Sequence, residues 1–190
     1  MPDVPPTDAL NLERFRDYLH LLARLHLADG KAARLDASDI VQQALLEGHR
    51  QRGNFRGQCE AEMAAWLRQI LAGVLADRLR SQRRAKRDVT RERSLEAALD
   101  QSSMQIGSWL AAPHSSPSAQ AQRHEDAVRL AAALATLPDS QREALVLRYY
   151  QGQSIDAISR RLGRSPAAVA GLLKRGLKQL RTALHDGSKS

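Results

Sequence analysis

At residues 154–175 the chain reads SIDAISRRLGRSPAAVAGLLKR, and this stretch dictates the architecture of its C-terminal part. Ser154 is a favourable helix N-cap, and apolar residues follow it at helical spacing as far as Leu162. Gly163 can adopt the left-handed conformation that ends a helix, and Ser165 followed by a proline starts the next one. Two short helices joined by a single glycine turn are typical of a helix-turn-helix.

The exposed face of the second helix in this motif is predicted to be basic. Its apolar stripe includes Val169, and Lys174 and Arg175 lie away from that stripe. At the start of the helix, free backbone amides favour a phosphate group. A plain helical hairpin is the alternative structure, but a hairpin does not need a basic face. The predicted DNA-binding residues of the motif are Arg164, Ser165, Lys174 and Arg175.

Further helices are predicted on both sides of the chain's midpoint. An apolar stripe between residues 128 and 137 is stopped by Pro138, after which either Asp139 or Ser140 can cap a helix over 141–151. In the N-terminal part, apolar stripes predict three helices, the second of them capped by Asp36. The sequence shows no strand pattern, internal repeat or glycine-rich phosphate loop. The predicted fold class is therefore all-α.

The balance of charge indicates a polyanionic partner. Lys and Arg number 29 against 21 Asp and Glu, which gives a net charge of +8. A run of basic residues between 78 and 93 continues the polar part of the third predicted helix, where it can follow a DNA backbone and release counterions. The predicted DNA-binding residues of this run are Arg80, Arg83, Arg84, Lys86 and Arg87.

Two aromatic residues are candidates for stacking on a separated DNA base. Trp66 lies among apolar residues of the third predicted helix, so we expect it in the core. Phe55 lies outside the helices, next to Arg56, and is the better stacking candidate. Phe55 and Arg56 therefore join the predicted DNA-binding residues.

The two basic parts are separated by a segment without positive charge. Residues 94–122 contain no Lys or Arg and are rich in Ser, Ala, Gln and Pro. This composition favours a linker. We predict two small helical domains, at 1–93 and 124–190, joined by a flexible linker at 94–123.

The composition disfavours several classes of protein. No apolar run approaches the ~18 residues that a membrane span requires, and the first residues do not form a signal peptide, so we expect a cytoplasmic protein without a membrane partner. The single cysteine excludes an internal disulfide. The six histidines have no metal-ligand spacing and no nucleophile motif occurs, so we expect neither an enzyme nor a metal or other cofactor.

Four blocks of the sequence together resemble a known family. They are DIVQQ at 39–43, WLRQIL at 66–71, LPDSQRE at 137–143 and the helix-turn-helix. In this order they resemble the extracytoplasmic-function (ECF) sigma factors of the sigma-70 family. The resemblance implies that the first domain is region 2, which docks on the clamp of the large subunit of core RNA polymerase and opens the start-proximal promoter element. It implies that the second is region 4, which reads the upstream element and contacts the polymerase flap.

The resemblance also implies roles for single residues. Asp39, Gln42 and Gln43 fall in the helix that such factors press against the polymerase clamp, although the family usually has Glu at the place of Gln43. Gly73 stands where relatives often carry Asn near a flipped promoter base, so it joins the DNA-binding positions. An anti-sigma protein is a further partner that the resemblance leaves open.

Two other functions are compatible with parts of this pattern. An ordinary helix-turn-helix repressor or activator would use its N-terminal module to bind an effector or to dimerise, but such a module does not need a second DNA surface. An RNA-binding basic protein would need an aromatic platform for single-stranded RNA, which the sequence does not offer.

Overall fold

The computed structural model describes residues 11–27, 35–83, 89–110 and 117–186, and in this part of the chain it contains helices and no strand. The prediction of an all-α fold is confirmed. None of the helices described is both long and apolar enough to cross a membrane. The α-helices are α1 (Arg16–Leu27), α2 (Ala37–Arg50), α3 (Glu60–Arg83), α4 (Val89–Gly107), α5 (Pro117–Ala135), α6 (Asp139–Leu145), α7 (Ile155–Leu162) and α8 (Pro166–Asp186).

The chain divides into two compact units, residues 1–128 and 129–190. In the first unit, α1, α2 and α3 pack around a core that includes Phe15, Leu19, Met63 and Leu67. The Asp36 carboxylate accepts a hydrogen bond from the backbone of Ser38 at 2.8 Å, as expected for the cap of α2. The three predicted N-terminal helices are therefore confirmed.

The segment predicted as a linker differs from that expectation. Residues 94–107 belong to α4, which packs on α1 and α3 and buries Leu99, Ser103 and Ile106. Two of these are apolar residues at helical spacing, and the serine between them finds hydrogen-bond partners in the unit. The composition of this segment predicted a linker because the segment is rich in small polar residues, and composition does not show whether such residues are buried. The first unit therefore contains a fourth helix, and residues 111–116 lie outside the described part.

The second unit contains the helix-turn-helix, which is confirmed. Ser154 caps α7 by accepting from the backbone of Ala157 at 3.2 Å, and Ser165 caps α8 by accepting from the backbone of Ala168 at 3.2 Å. Gly163 between them has φ of 61°, the left-handed conformation that glycine adopts without strain. The apolar residues of α8 that face this unit's core include Val169, Leu172, Leu173 and Leu180.

The start of α6 differs from the prediction that Asp139 or Ser140 caps it. The cap position is Pro138, which forms no side-chain cap hydrogen bond. Asp139 is already the first helical residue, and its carboxylate pairs with Arg142 one turn later. The helix predicted at 141–151 continues from α6 through a π-helical turn, Val146–Tyr150.

Candidate nucleic-acid interface

The helix-turn-helix presents the predicted residues to solvent. Arg164, Ser165, Lys174 and Arg175 are all exposed. The hydroxyl of Ser165 already accepts the capping hydrogen bond, which leaves its proton available for a phosphate oxygen. The four side chains are therefore accessible to solvent, as contact with DNA requires.

The helix-turn-helix turn adds a basic residue that the sequence prediction left out. An open pocket of about 530 Å³ is lined by Arg160 from the end of α7, by Arg164 and by Pro166 at the start of α8, with Asp156 and Ser159 completing its wall. Two guanidinium groups beside a helix start favour a phosphate. The signal in the sequence was the close spacing of arginines around the glycine turn.

The side chain of Arg175 runs along the surface of α8 towards Gly171, one turn earlier. A Cβ atom added at Gly171 would stand 3.2 Å from Nη1 of Arg175, closer than ordinary van der Waals contact. The guanidinium therefore lies over the space that Gly171 leaves one turn earlier on α8. The small residue at this position gives Arg175 room along the helix surface.

The α2 helix carries the residues predicted to bind polymerase. Asp39 and Gln42 are exposed and Gln43 is half-buried. Leu46, with 48 % of its surface exposed, follows at the spacing that puts it on the same helix face. The prediction missed Leu46 because an apolar residue on an amphipathic helix is normally assigned to the core.

A pocket of about 560 Å³ lies between α2, α3 and the start of α4. It brings together two predicted site residues, Gln43 and Gly73, and adds Trp66. Its lining residues are Gln43, Glu47, Gln51, Trp66, Gln69, Ile70, Gly73, Val74, Asp77, Arg78 and Glu92. A pocket of this size with aromatic and polar walls is large enough for a nucleic-acid base.

The aromatic residues differ from expectation in one respect. Trp66 is half-buried and lines the pocket instead of lying in the core, because Met63 and Leu67 already occupy the buried face of α3. Phe55 packs against it, with ring centroids 5.2 Å apart and planes tilted by 42°. The two rings form one aromatic surface, and Arg56 beside them is exposed.

The basic run on α3 is only partly described. The side chain of Arg80 is 14 % exposed and pairs with Asp77, so the prediction that Arg80 is a free DNA contact does not fit this structure. Arg78 is exposed and lines the pocket, which makes it the better candidate. Arg83 is the last residue of α3, and the other predicted residues, Arg84, Lys86 and Arg87, lie outside the described part.

A buried polar cluster, which the sequence did not predict, joins α1, α3, α4 and α5 within the first unit. Arg68 donates to Asp100 at 2.6 Å and to the hydroxyl of Tyr18 at 2.8 Å, and Tyr18 donates to Ser103 at 2.8 Å. Ser103 Oγ lies 2.9 Å from Nδ1 of His124. We call these five residues the Arg68 cluster. Buried apolar residues lie one helical turn from Arg68 on both sides, at Ala64, Leu71 and Ala72, and this spacing was the local sign that Arg68 is buried.

Burial shifts the ionisation of two members of the Arg68 cluster. Burial raises the pKa of the Tyr18 hydroxyl, and the nearby Arg68 opposes that shift. Burial, followed by the positive charge of Arg68, lowers the pKa of His124, whereas Asp100 opposes this change. Both side chains are therefore held in their neutral forms at neutral pH.

Two protein-family models match the sequence of the chain, each of them largely within one of the two units. The model of sigma-70 region 2 matches residues 12–85, and the model of sigma-70 region 4 matches residues 127–180. No curated protein matches the chain. The two matches occur in the order of the two structural units and together cover more than half of the chain. They include the helix-turn-helix and every lining residue of the pocket on α3 except Glu92. The chain therefore belongs to the sigma-70 family of RNA polymerase sigma factors, which act in promoter recognition and transcription initiation.

Proposed function

We propose that the chain is a sigma factor of the ECF subfamily, which binds core polymerase through α2 and promoter DNA through α3 and α8. The matches to region 2 and region 4 are separated only by residues 86–126. A domain rarely has fewer than roughly 50 residues, so this interval leaves no room for another one. A two-region architecture of this kind is what the resemblance to ECF factors implies.

Docking on the polymerase clamp is assigned to one face of α2. Asp39, Gln42, Gln43 and Leu46 share this face, and it combines an acidic group, amides and an exposed apolar side chain. Interface cores are often apolar and surrounded by polar groups. We infer that Leu46 is the apolar centre of the docking face and that the three polar residues surround it.

Promoter binding is assigned to two surfaces, one in each unit. Arg164, Ser165, Lys174 and Arg175 are accessible on the unit that matches region 4, where a recognition helix enters the major groove of the upstream element. In the region 2 unit, Phe55 and Trp66 form an aromatic surface at the pocket that contains Gly73, suited to a base separated from its partner. Arg56, Arg78 and the basic residues that follow α3 would hold the phosphates of the same strand.

The domain roles follow from this assignment. We infer that the first unit docks and opens the start-proximal element, and that the second reads the upstream element and contacts the flap. The proposed role needs no catalysis by the chain itself and places it in the cytoplasm, where polymerase and promoters meet. One observation carries the proposal. The same chain contains a helix-turn-helix with accessible basic residues and the surfaces on α2 and α3.

The experiment adds the purified chain to core RNA polymerase and sequences the 5′ ends of the transcripts made from a bacterial genomic template. We expect new, specific start sites, which Asp39→Arg should abolish because it reverses the charge of the docking face. Asp17→Arg, on the exposed surface of α1, is the matched control and should retain them. An absence of new start sites, or start sites that survive Asp39→Arg, would contradict the proposal.

A further inference from the structure

Gly73 leaves a space on α3 that is bordered by a side chain from another helix. A Cβ atom added at Gly73 would meet, as its nearest neighbour, Oε1 of Glu92 at 3.5 Å. Glu92 belongs to the first turn of α4 and lines the same pocket as Gly73 and Trp66. The Glu92 carboxylate therefore stands beside the place where the side chain of residue 73 would project.

The Arg68 cluster fixes α4, and with it the position of Glu92. Asp100 lies about two helical turns after Glu92 on α4 and is bound by the buried Arg68 at 2.6 Å. Ser103, one turn further on, is bound by Tyr18 from α1 at 2.8 Å. A partly buried ion pair and a buried hydrogen bond on one helix hold its backbone in place. The Glu92 side chain therefore reaches the pocket from a helix whose position is fixed.

The chemistry of the pocket favours a base over a phosphate next to Glu92. An ionised carboxylate only accepts hydrogen bonds, and it repels phosphate oxygens. The exocyclic amino groups of cytosine, adenine and guanine can donate to it, whereas thymine has no amino group. The ring of Trp66 lines the pocket and gives such a base an apolar wall, while Arg78 offers a positive charge to the adjoining phosphate.

From these observations we propose that Glu92 is a base-specificity residue, supplied to the promoter pocket by α4 in place of the side chain that Gly73 lacks. It would accept a hydrogen bond from a base that carries an exocyclic amino group and disfavour thymine at that position. This inference rests on the proposed function, because it assumes that the pocket on α3 receives a promoter base.

The test measures binding of holoenzyme, formed from core polymerase and the full chain, to promoter DNA with an open non-template strand. Each base of the start-proximal element is replaced in turn by the other three, and affinities are measured by fluorescence competition. We expect one position at which thymine binds about fivefold or more weakly than an amino-bearing base. Glu92→Gln, which keeps the size but can also donate to the thymine carbonyl, should remove most of that difference. Glu96→Gln, one turn further along α4, is the matched control and should retain it.

A second variant introduces a side chain at position 73. Gly73→Asn places an amide beside the Glu92 carboxylate and should likewise reduce the discrimination against thymine. An unchanged base profile in Glu92→Gln would overturn the inference and leave the proposed function standing. Tighter binding to every sequence alike would also overturn it, because Glu92 would then only repel DNA. Failure of the unaltered holoenzyme to bind any promoter would overturn the proposed function and this inference with it.

Discussion

Arg68 on α3 and Asp100 on α4 form an ion pair with 2.6 Å between Nη2 and Oδ1, and the Arg68 side chain is only 5 % exposed whereas that of Asp100 is 50 % exposed. Removal of the carboxylate leaves a buried guanidinium without its counter-charge. We expect Asp100→Asn to lower the free energy of unfolding of the first unit by about 1 to 3 kcal/mol. Water around the half-exposed Asp100 keeps this loss below the cost of breaking a fully buried pair.

The two tryptophans make this loss measurable in the first unit alone. Trp66 and Trp109 both lie within residues 1–128, so their fluorescence during urea unfolding reports that unit. Glu96→Gln, on the same helix and with the same loss of charge, is the control and should leave the unfolding midpoint within error. An unchanged midpoint in Asp100→Asn would show that α4 does not depend on the pair.

The stability of the first unit should also depend on His124. Burial and Arg68 lower the pKa of His124 below its ordinary value of 6.5, so the folded unit favours the neutral ring. The unfolded chain binds a proton near pH 6.5, which means that it binds more protons than the folded unit below that pH. Stability is therefore full above about pH 6.5 and falls as the pH drops towards the lower pKa of the folded unit.

The measurement for His124 is urea unfolding by tryptophan fluorescence between pH 5 and 8. We expect His124→Gln to flatten the decline at acid pH, because the amide cannot be protonated in this range. His49→Gln, at an exposed position on α2, should keep the decline of the unaltered chain. The same slope in all three proteins would rule out His124 as its source.

Leu46 should contribute to polymerase binding and not to folding. Because about half of Leu46 is exposed, Leu46→Ala should change the unfolding midpoint only slightly, while it weakens binding of core polymerase by about 1 to 2 kcal/mol. Surface plasmon resonance with the chain immobilised measures this affinity. Leu110→Ala alters another exposed leucine of the same unit and is the control. Equal affinities for the two variants would remove Leu46 from the docking face.

Lys174 and Arg175 should contribute to DNA binding in different ways. Arg175 can bind guanine with two parallel hydrogen bonds, so Arg175→Ala should cost about 1 to 3 kcal/mol on the cognate upstream element and relax the preference at one base. Lys174→Ala should weaken binding to all sequences alike and make the salt dependence shallower by about one phosphate contact. Titrations on cognate and scrambled duplexes at two salt concentrations separate these effects. A double variant that binds the cognate duplex like the unaltered chain would remove α8 from promoter reading.

Much of the fold follows from local signals in the sequence. Ser154, Gly163 and Ser165 begin and end the helices of the helix-turn-helix where predicted, because a cap or a left-handed glycine acts through only a few neighbouring residues. The apolar stripes predicted the buried face of α8 for the same reason, since helical spacing alone places those residues on one side.

The fourth helix of the first unit, the Arg68 cluster and the position of Glu92 could not be read in this way. Arg68 and Asp100 are 32 residues apart, and Tyr18 and Ser103 are 85 residues apart. Whether such groups meet depends on how the helices pack, and no local spacing encodes that packing. The composition of this segment wrongly predicted a linker. Ser103 is a polar residue, and its burial costs little free energy only because its hydroxyl has hydrogen-bond partners in the folded unit.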